Sequence, residues 1–171
     1  MERGFIQVYT GNGKGKTTAA FGLAVRALCA GKKVFVGQFV KDMKYNETKL
    51  KDCFEYLEVK QFGKGCFIQN KPEEQDIQAA KEGLDECRVI LEKGQYDLVI
   101  LDELNIALYF KLLKIEDVLK VIESKAKHVE VVITGRYAPD ELILIADLVT
   151  EMKEIKHYYN KGVEAREGIE R

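Results

Sequence analysis

A chain of 171 residues is long enough to bury a core of ordinary size, and it is expected to form a single domain spanning 1–171. Hydrophobic residues at 46% and charged residues at 32% exclude a disordered or fibrous chain. With 27 Lys and Arg against 28 Asp and Glu the net charge is −1, which argues against a whole-protein attraction to nucleic acid or to an anionic membrane.

In chain order, 5–9 is a short β-rich run, followed at once by Gly-Asn-Gly-Lys-Gly. Residues 16–30 are helix-forming, with Phe21, Ala24, Val25 and Leu28 at helical spacing and Gly31 as the stop. Residues 34–40 read as a second strand, completing a strand–loop–helix–strand unit typical of a parallel α/β sheet. The charged stretch 41–52 is either a loop or a short exposed helix, and 54–62 is expected to be another strand. Pro72 opens a long helix over about 73–93, acidic in its first turn and ended by Gly94. Residues 98–101 form a continuous apolar run, as in a strand buried on both faces. Helices are expected from Ile106 and over 115–126, a buried strand over 129–133, a helix over 139–146 and a last strand over 148–155. The tail, 157–171, has no strong period. Apolar runs such as 142–146 are far shorter than the about 20 residues that span a bilayer. The first residues do not make a signal peptide, so a cytoplasmic location is expected. The four cysteines form no CxxC pair and are expected to be reduced and mostly buried.

The strongest chemical signal is Thr10-Gly11-Asn12-Gly13-Lys14-Gly15-Lys16-Thr17-Thr18, between a strand and a helix. Glycines allow a tight turn that presents backbone N–H groups to phosphate oxygens, and the helix start adds its positive dipole end. Lys16 supplies a compact cation, and the Thr17 hydroxyl is a candidate ligand for Mg²⁺. The position five before Gly15 is Thr10 where the general pattern has Gly, so the loop is a variant. The second signal is Asp102-Glu103 at the end of the apolar strand. Carboxylates there reach the sheet edge where α/β proteins bind ligands and can hold Mg²⁺ directly or through water. Spacing does not decide which of the two touches the metal. The third is Thr134-Gly135-Arg136, also after a strand, where Arg136 is either a phosphate or ribose contact or a surface arginine in a turn. The lysines of 41–51 read as a solvated face rather than a nucleic-acid patch, and His128 and His157 as structural.

The stretch from Phe5 to Gly22, with Gln38-Phe39-Val40-Lys41, Leu101-Asp102-Glu103-Leu104-Asn105, Thr134-Gly135-Arg136, 138–152 and the tail residues Lys156-His157 and Gly168-Ile169-Glu170, closely resembles the P-loop type of ATP:cob(I)alamin adenosyltransferase. The match runs from about residue 4 to the end, and the variant loop is itself a trait of that family. The resemblance implies an α/β, RecA-like P-loop NTPase fold with a mostly parallel central sheet flanked by helices, often as a homodimer. It implies transfer of the 5′-deoxyadenosyl group of ATP to cobalt(I) of cobalamin or of a precursor such as cobyrinic acid a,c-diamide. Triphosphate is released, in adenosylcobalamin biosynthesis or salvage. ATP would lie in the loop in the reverse of the ordinary sense, terminal phosphates deep and C5′ toward the corrinoid. Mg²⁺, with Mn²⁺ as an alternative, and a transient flavoprotein reductase are further implications.

On that footing the nucleotide contacts are Gly11, Asn12, Gly13, Lys14, Gly15, Lys16, Thr17, Thr18 and Arg136. Lys16, Thr17 and Glu103 are the catalytic candidates, and Thr17, Glu103 and Asp102 the metal candidates. One departure stands out. Many relatives carry a Gly-Phe-Thr-Trp-like segment beneath the corrinoid; here the corresponding stretch is Gly65-Cys66-Phe67-Ile68, and the chain has no Trp. Phe67, with Phe62, is either the substitute or a core aromatic. The competing readings are an ordinary P-loop kinase or ATPase, which would release ADP, and a nucleotide-gated corrinoid carrier, which would form no cobalt–carbon bond.

Overall fold

Strand formation follows the alternation of side chains. In the computed structural model, which describes residues 2–40, 46–63 and 72–170, the apolar residues sort by parity onto two sheet faces. Phe35, Val99, Leu101 and Ile133 pack on one face with Leu84, Leu91, Leu104 and Ile122. Val34, Val36, Leu98, Ile100 and Val132 pack on the other with Ala20, Phe21, Ala24 and Leu28. Each face is covered by helices, which is the arrangement that a parallel sheet requires.

The elements are β1 (Ile6–Thr10), α1 (Lys16–Cys29), β2 (Val34–Phe39), β3 (Leu57–Phe62), α2 (Glu74–Lys93), β4 (Leu98–Asp102), α3 (Leu104–Tyr109), α4 (Ile115–Glu123), β5 (Glu130–Thr134), α5 (Asp140–Ile145) and β6 (Leu148–Glu151). Short 3₁₀ turns cover Asn46–Asp52 and Tyr158–Lys161. The six strands form one sheet in the order β3-β2-β4-β5-β1-β6, and every pairing is parallel. This is the α/β layout of a RecA-like P-loop fold. Because all strands run the same way, Thr10, Gln38, Asp102 and Thr134 reach the same carboxyl edge, with Gln38 in register with Asp102 and Tyr9 with Thr134.

Several boundaries differ from the sequence expectation. The last strand stops at Glu151 rather than 155, because the next residue turns to the loop: the Met152 N–H donates to the Thr10 carbonyl, and its carbonyl accepts from the Gly13 N–H. β3 begins at Leu57, since 53–56 is a turn closed by Phe54 N–H to the Leu50 carbonyl and Leu57 N–H to the Phe54 carbonyl. α3 starts two residues earlier than expected, directly after Glu103, which takes the left-handed conformation (φ 59°). α4 ends at Glu123, where the Ser124 hydroxyl turns back to donate to the Val121 carbonyl. The thiols also differ: Cys29 and Cys53 are exposed, and only Cys87 of the described cysteines is buried. Phe62 packs on Phe39 at 5.3 Å between ring centres and against the core, so it is a core aromatic. Phe67 and the rest of the Gly65–Ile68 reading lie outside the described residues.

Candidate active site

The loop between β1 and α1 is shaped by two close approaches. Gly11 has φ 92°, and a Cβ there would meet the Met152 carbonyl oxygen at 2.5 Å; a Cβ on Gly13 would meet the same oxygen at 2.7 Å. No larger residue fits either place without moving the segment after β6. Gly15, at φ 118°, then starts α1. The loop therefore wraps the head of the helix with its N–H groups free of any side-chain cap.

Lys16 is folded inward and is 7% exposed. Its Nζ donates to the carbonyls of Gly11 at 2.7 Å and Gly13 at 2.8 Å. Burial pushes its pKa below the ordinary lysine value and Arg136 adds to that, while the carboxylates of Glu103 and Asp102 oppose the shift. Asp102, Glu103 and Arg136, from the end of β4 and the turn after β5, thus each sit within electrostatic reach of Lys16 on α1.

Asp102 is fully buried. Its Oδ1 accepts from the hydroxyls of Thr17 at 2.9 Å and Thr134 at 2.7 Å, and its Oδ2 accepts from Gln38 Nε2 at 3.0 Å. Thr134 Oγ1 in turn accepts from the Glu103 N–H at 3.0 Å. The two neighbouring carboxylates consequently have different positions. Asp102 lies beneath Thr17, whereas Glu103 lines a cleft of about 850 Å³ with residues 13–18 of the loop and Arg136. Gly11 turns toward Met152, and Asn12 is exposed on the loop. Thr17 and Glu103 are hard oxygen donors, a set that suits Mg²⁺, which keeps several waters and phosphate oxygens of its own. Among the described residues no group of three or more His, Cys, Asp or Glu forms a closed metal cage.

Sequence reasoning missed several residues at this site. Asn105 is fully buried and its Nδ2 donates to the Gly135 carbonyl at 2.9 Å, which fixes the turn that carries Arg136. Gln38 holds Asp102 from the neighbouring strand. Neither role is visible until β2, β4 and β5 are known to be adjacent. The tail has no strong period and enters the sequence reading only through the resemblance at 156–157 and 168–170, yet His157, Gly168, Ile169 and Glu170 line the cleft. Glu170 Oε1 accepts from Lys14 Nζ at 2.8 Å and from the Tyr158 hydroxyl. Arg166 reaches the same carboxylate through Nε at 3.2 Å and its second terminal nitrogen at 3.1 Å, and lies with Lys14 over the Tyr158 ring. Only the fold brings Arg166 and Glu170 to Lys14.

Arg166 first, then Lys14 and Tyr158, hold the Glu170 carboxyl well below the usual carboxylate range. A depressed folded pKa means that this latch contributes fully above the ordinary carboxylate value, about 4.3, and is lost as pH falls through the lower folded value. The contacts lie at the rim, so salt screens them. Protection of the backbone amides over 157–170, taken relative to the intrinsic exchange rate at each pH, is therefore expected to hold from neutral pH to about 4.5 and to fall below that or in high salt. Glu170→Gln should exchange fast throughout. Equal protection in the variant at neutral pH and low salt would show that the carboxylate does not hold the tail.

Comparison with known proteins gives one consistent result. Residues 2–171 match the family model described as ATP:corrinoid adenosyltransferase BtuR/CobO/CobP. A corrinoid adenosyltransferase of Escherichia coli K12 is 37% identical over 169 residues, covering 99% of this chain and 86% of that protein. One from Pseudomonas aeruginosa is 37% identical over 171 residues, covering 99% and 84%. The corrinoid adenosyltransferase CobA of Salmonella typhimurium is 36% identical over 169 residues, covering 99% and 86%.

Proposed function

The chain belongs to the ATP:corrinoid adenosyltransferase family, and from that premise we propose how its cleft performs the transfer. The family acts on ATP and a corrinoid and serves adenosylcobalamin biosynthesis. The substrate proposed here is cobalt(I) cobalamin or a precursor such as cobyrinic acid a,c-diamide. The observation that carries the reading is the juxtaposition of an anion-binding loop and helix N-terminus with Lys16, Arg136 and Glu103 on one cleft.

In this reading the triphosphate lies along residues 11–18, with its terminal phosphates deep and C5′ facing outward. Cobalt(I) is itself the nucleophile, so no side chain has to be deprotonated to attack. Its electron pair forms the cobalt–carbon bond at C5′ as the C5′–O5′ bond breaks, and the bonding pair leaves on O5′ of the triphosphate. The protein's work is to hold C5′ in line and to meet the charge gathering on the departing group. Lys16 exchanges its two carbonyl partners for phosphate oxygens, backbone N–H groups of 14–18 donate to the same group, and Arg136 contacts phosphate or ribose. A bound Mg²⁺, held by Thr17 and Glu103, would neutralise phosphate charge as a Lewis acid. Asp102 orients the Thr17 hydroxyl from below. Asn12 is a weaker nucleotide contact in this scheme.

A flavoprotein reductase is the proposed transient source of cobalt(I). A homodimer is proposed on the exposed apolar residues Leu144, Leu148 and Val149, on α5 and the edge strand β6. No helix among the described residues is long and apolar enough to cross a membrane, and a cytoplasmic site of action is proposed with the reductase. The test is an anaerobic assay with Mg-ATP and chemically reduced cobalamin, cobinamide and cobyrinic acid a,c-diamide in parallel. A light-sensitive adenosylated corrinoid from at least one is expected, and the ratio of kcat/KM values ranks the substrates. ADP and phosphate without a new cobalt–carbon bond would replace the reading with an ordinary ATPase or kinase. ATP-dependent corrinoid binding without turnover would replace it with a carrier.

A further inference from the structure

Two aromatic side chains on the cleft wall are not used by the chemistry above. Tyr109 ends α3, and Tyr137 follows Arg136 in the turn after β5. Their rings stack at 4.3 Å between centres with 27° between planes, and both line the cleft. Phe110 meets Tyr109 edge-on at 5.4 Å, bracing that ring. Aromatic pairs of this kind ordinarily belong to cores, yet Tyr109 is 54% and Tyr137 50% exposed. Tyr137 is also held at φ 61°, a left-handed conformation that costs a bulky residue free energy. Its turn is fastened on both sides: the Gly135 carbonyl accepts from Asn105, and the Ala138 N–H donates to Thr10 Oγ1 at the head of the phosphate loop. An exposed, strained and braced aromatic stack next to Arg136 is a surface built for a flat ring.

We propose that Tyr109 and Tyr137 form a stacking platform for the adenine ring of ATP, an inference that rests on the loop holding the triphosphate. Two observations favour the purine over the corrinoid. The platform is joined to the phosphate loop, through Ala138 to Thr10, and to Arg136, which lies within electrostatic reach of Lys16. Tyr109 lies one six-residue helix, about 9 Å, from Glu103, a separation that a ribose and part of a triphosphate span. A corrin, in contrast, is puckered and fringed with methyl and amide groups, and matches the face of a phenol ring poorly. A purine is flat and of similar width.

The test is equilibrium binding of Mg-ATP and of Mg-tripolyphosphate, which lacks the base, to the full chain and to Tyr109→Ala and Tyr137→Gly. Glycine suits φ 61° better than tyrosine does, so Tyr137→Gly removes the ring without threatening the fold. ATP affinity is expected to fall about tenfold to a hundredfold in each variant, with tripolyphosphate affinity within about twofold of the unmodified chain. Tyr109→Phe and Tyr137→Phe should keep ATP affinity, because the ring face is retained. KM for cobalamin and for cobinamide should stay unchanged. Unchanged ATP affinity in the Ala and Gly variants, or an equal loss for tripolyphosphate, would overturn the platform. A rise in KM for cobalamin and not for cobinamide would assign the rings to the corrinoid's lower base instead. If the unmodified chain bound neither ATP nor tripolyphosphate, the phosphate-loop reading would fall, and the platform with it.

Discussion

Lys16→Ala is expected to lower kcat/KM for adenosyl transfer by at least about a hundredfold and up to a thousandfold, the range for removing one preorganised group that meets transition-state charge. Lys16 is 7% exposed, and without ligand its ammonium is satisfied by two loop carbonyls at 2.7 and 2.8 Å. A triphosphate entering the loop offers stronger acceptors at the same place, and its negative charge grows as the C5′–O5′ bond breaks. The cation is thus worth more in the transition state than in the ground state, which is the condition for an effect on kcat. Arginine should not rescue, since its planar fork is larger than the pocket that the carbonyls of Gly11 and Gly13 close around Lys16. The thermal midpoint should change little, because the carbonyls left behind can turn to water in the open cleft. A variant within about tenfold of the unmodified enzyme would remove Lys16 from the charge-stabilising role.

Asp102→Ala is expected to damage both stability and activity. The carboxylate is fully buried and accepts from Thr17, Thr134 and Gln38. Deleting it strands three donors out of water, at about 1–3 kcal/mol for each that finds no new partner. A net loss of about 3 kcal/mol would lower the thermal midpoint by roughly 6–12 °C for a chain of this size. Asp102→Asn separates the two effects. The amide keeps the shape and one acceptor, so the midpoint should fall by less than half as much. Yet its NH₂ must face a donor, either a threonine hydroxyl or the Gln38 amide, and Thr17 loses its fixed orientation. Activity should still drop by about a hundredfold. An Asn variant with ordinary kinetics would show that Asp102 serves the fold alone.

Much of this architecture was legible in the sequence, and for identifiable reasons. The apolar run over 98–101 and the run over 129–133 announced strands buried on both faces, because a parallel sheet leaves no polar side. The phosphate loop was legible because its glycines answer local backbone demands, now seen as the approach of Gly11 and Gly13 to Met152. Asp102 and Glu103 were both named, but not their division of labour. That division depends on Thr134 and Gln38 arriving from neighbouring strands, and strand order is not a local property. The tail was opaque for a related reason: Glu170 and Lys14 are 156 positions apart, and an isolated glutamate carries no periodic signal. Boundaries slipped where tertiary contacts overrode propensity, as at β6, whose last predicted residues leave the sheet to back the loop.

The proposed transfer cleaves ATP at C5′ and leaves O5′ on the triphosphate. ATP labelled with ¹⁸O at the 5′ bridging position, incubated anaerobically with Mg²⁺ and chemically reduced corrinoid, tests it directly by mass spectrometry of the phosphate product. One labelled triphosphate is expected for each adenosylated corrinoid formed. Label retained in ADP or AMP, or unlabelled triphosphate, would contradict it.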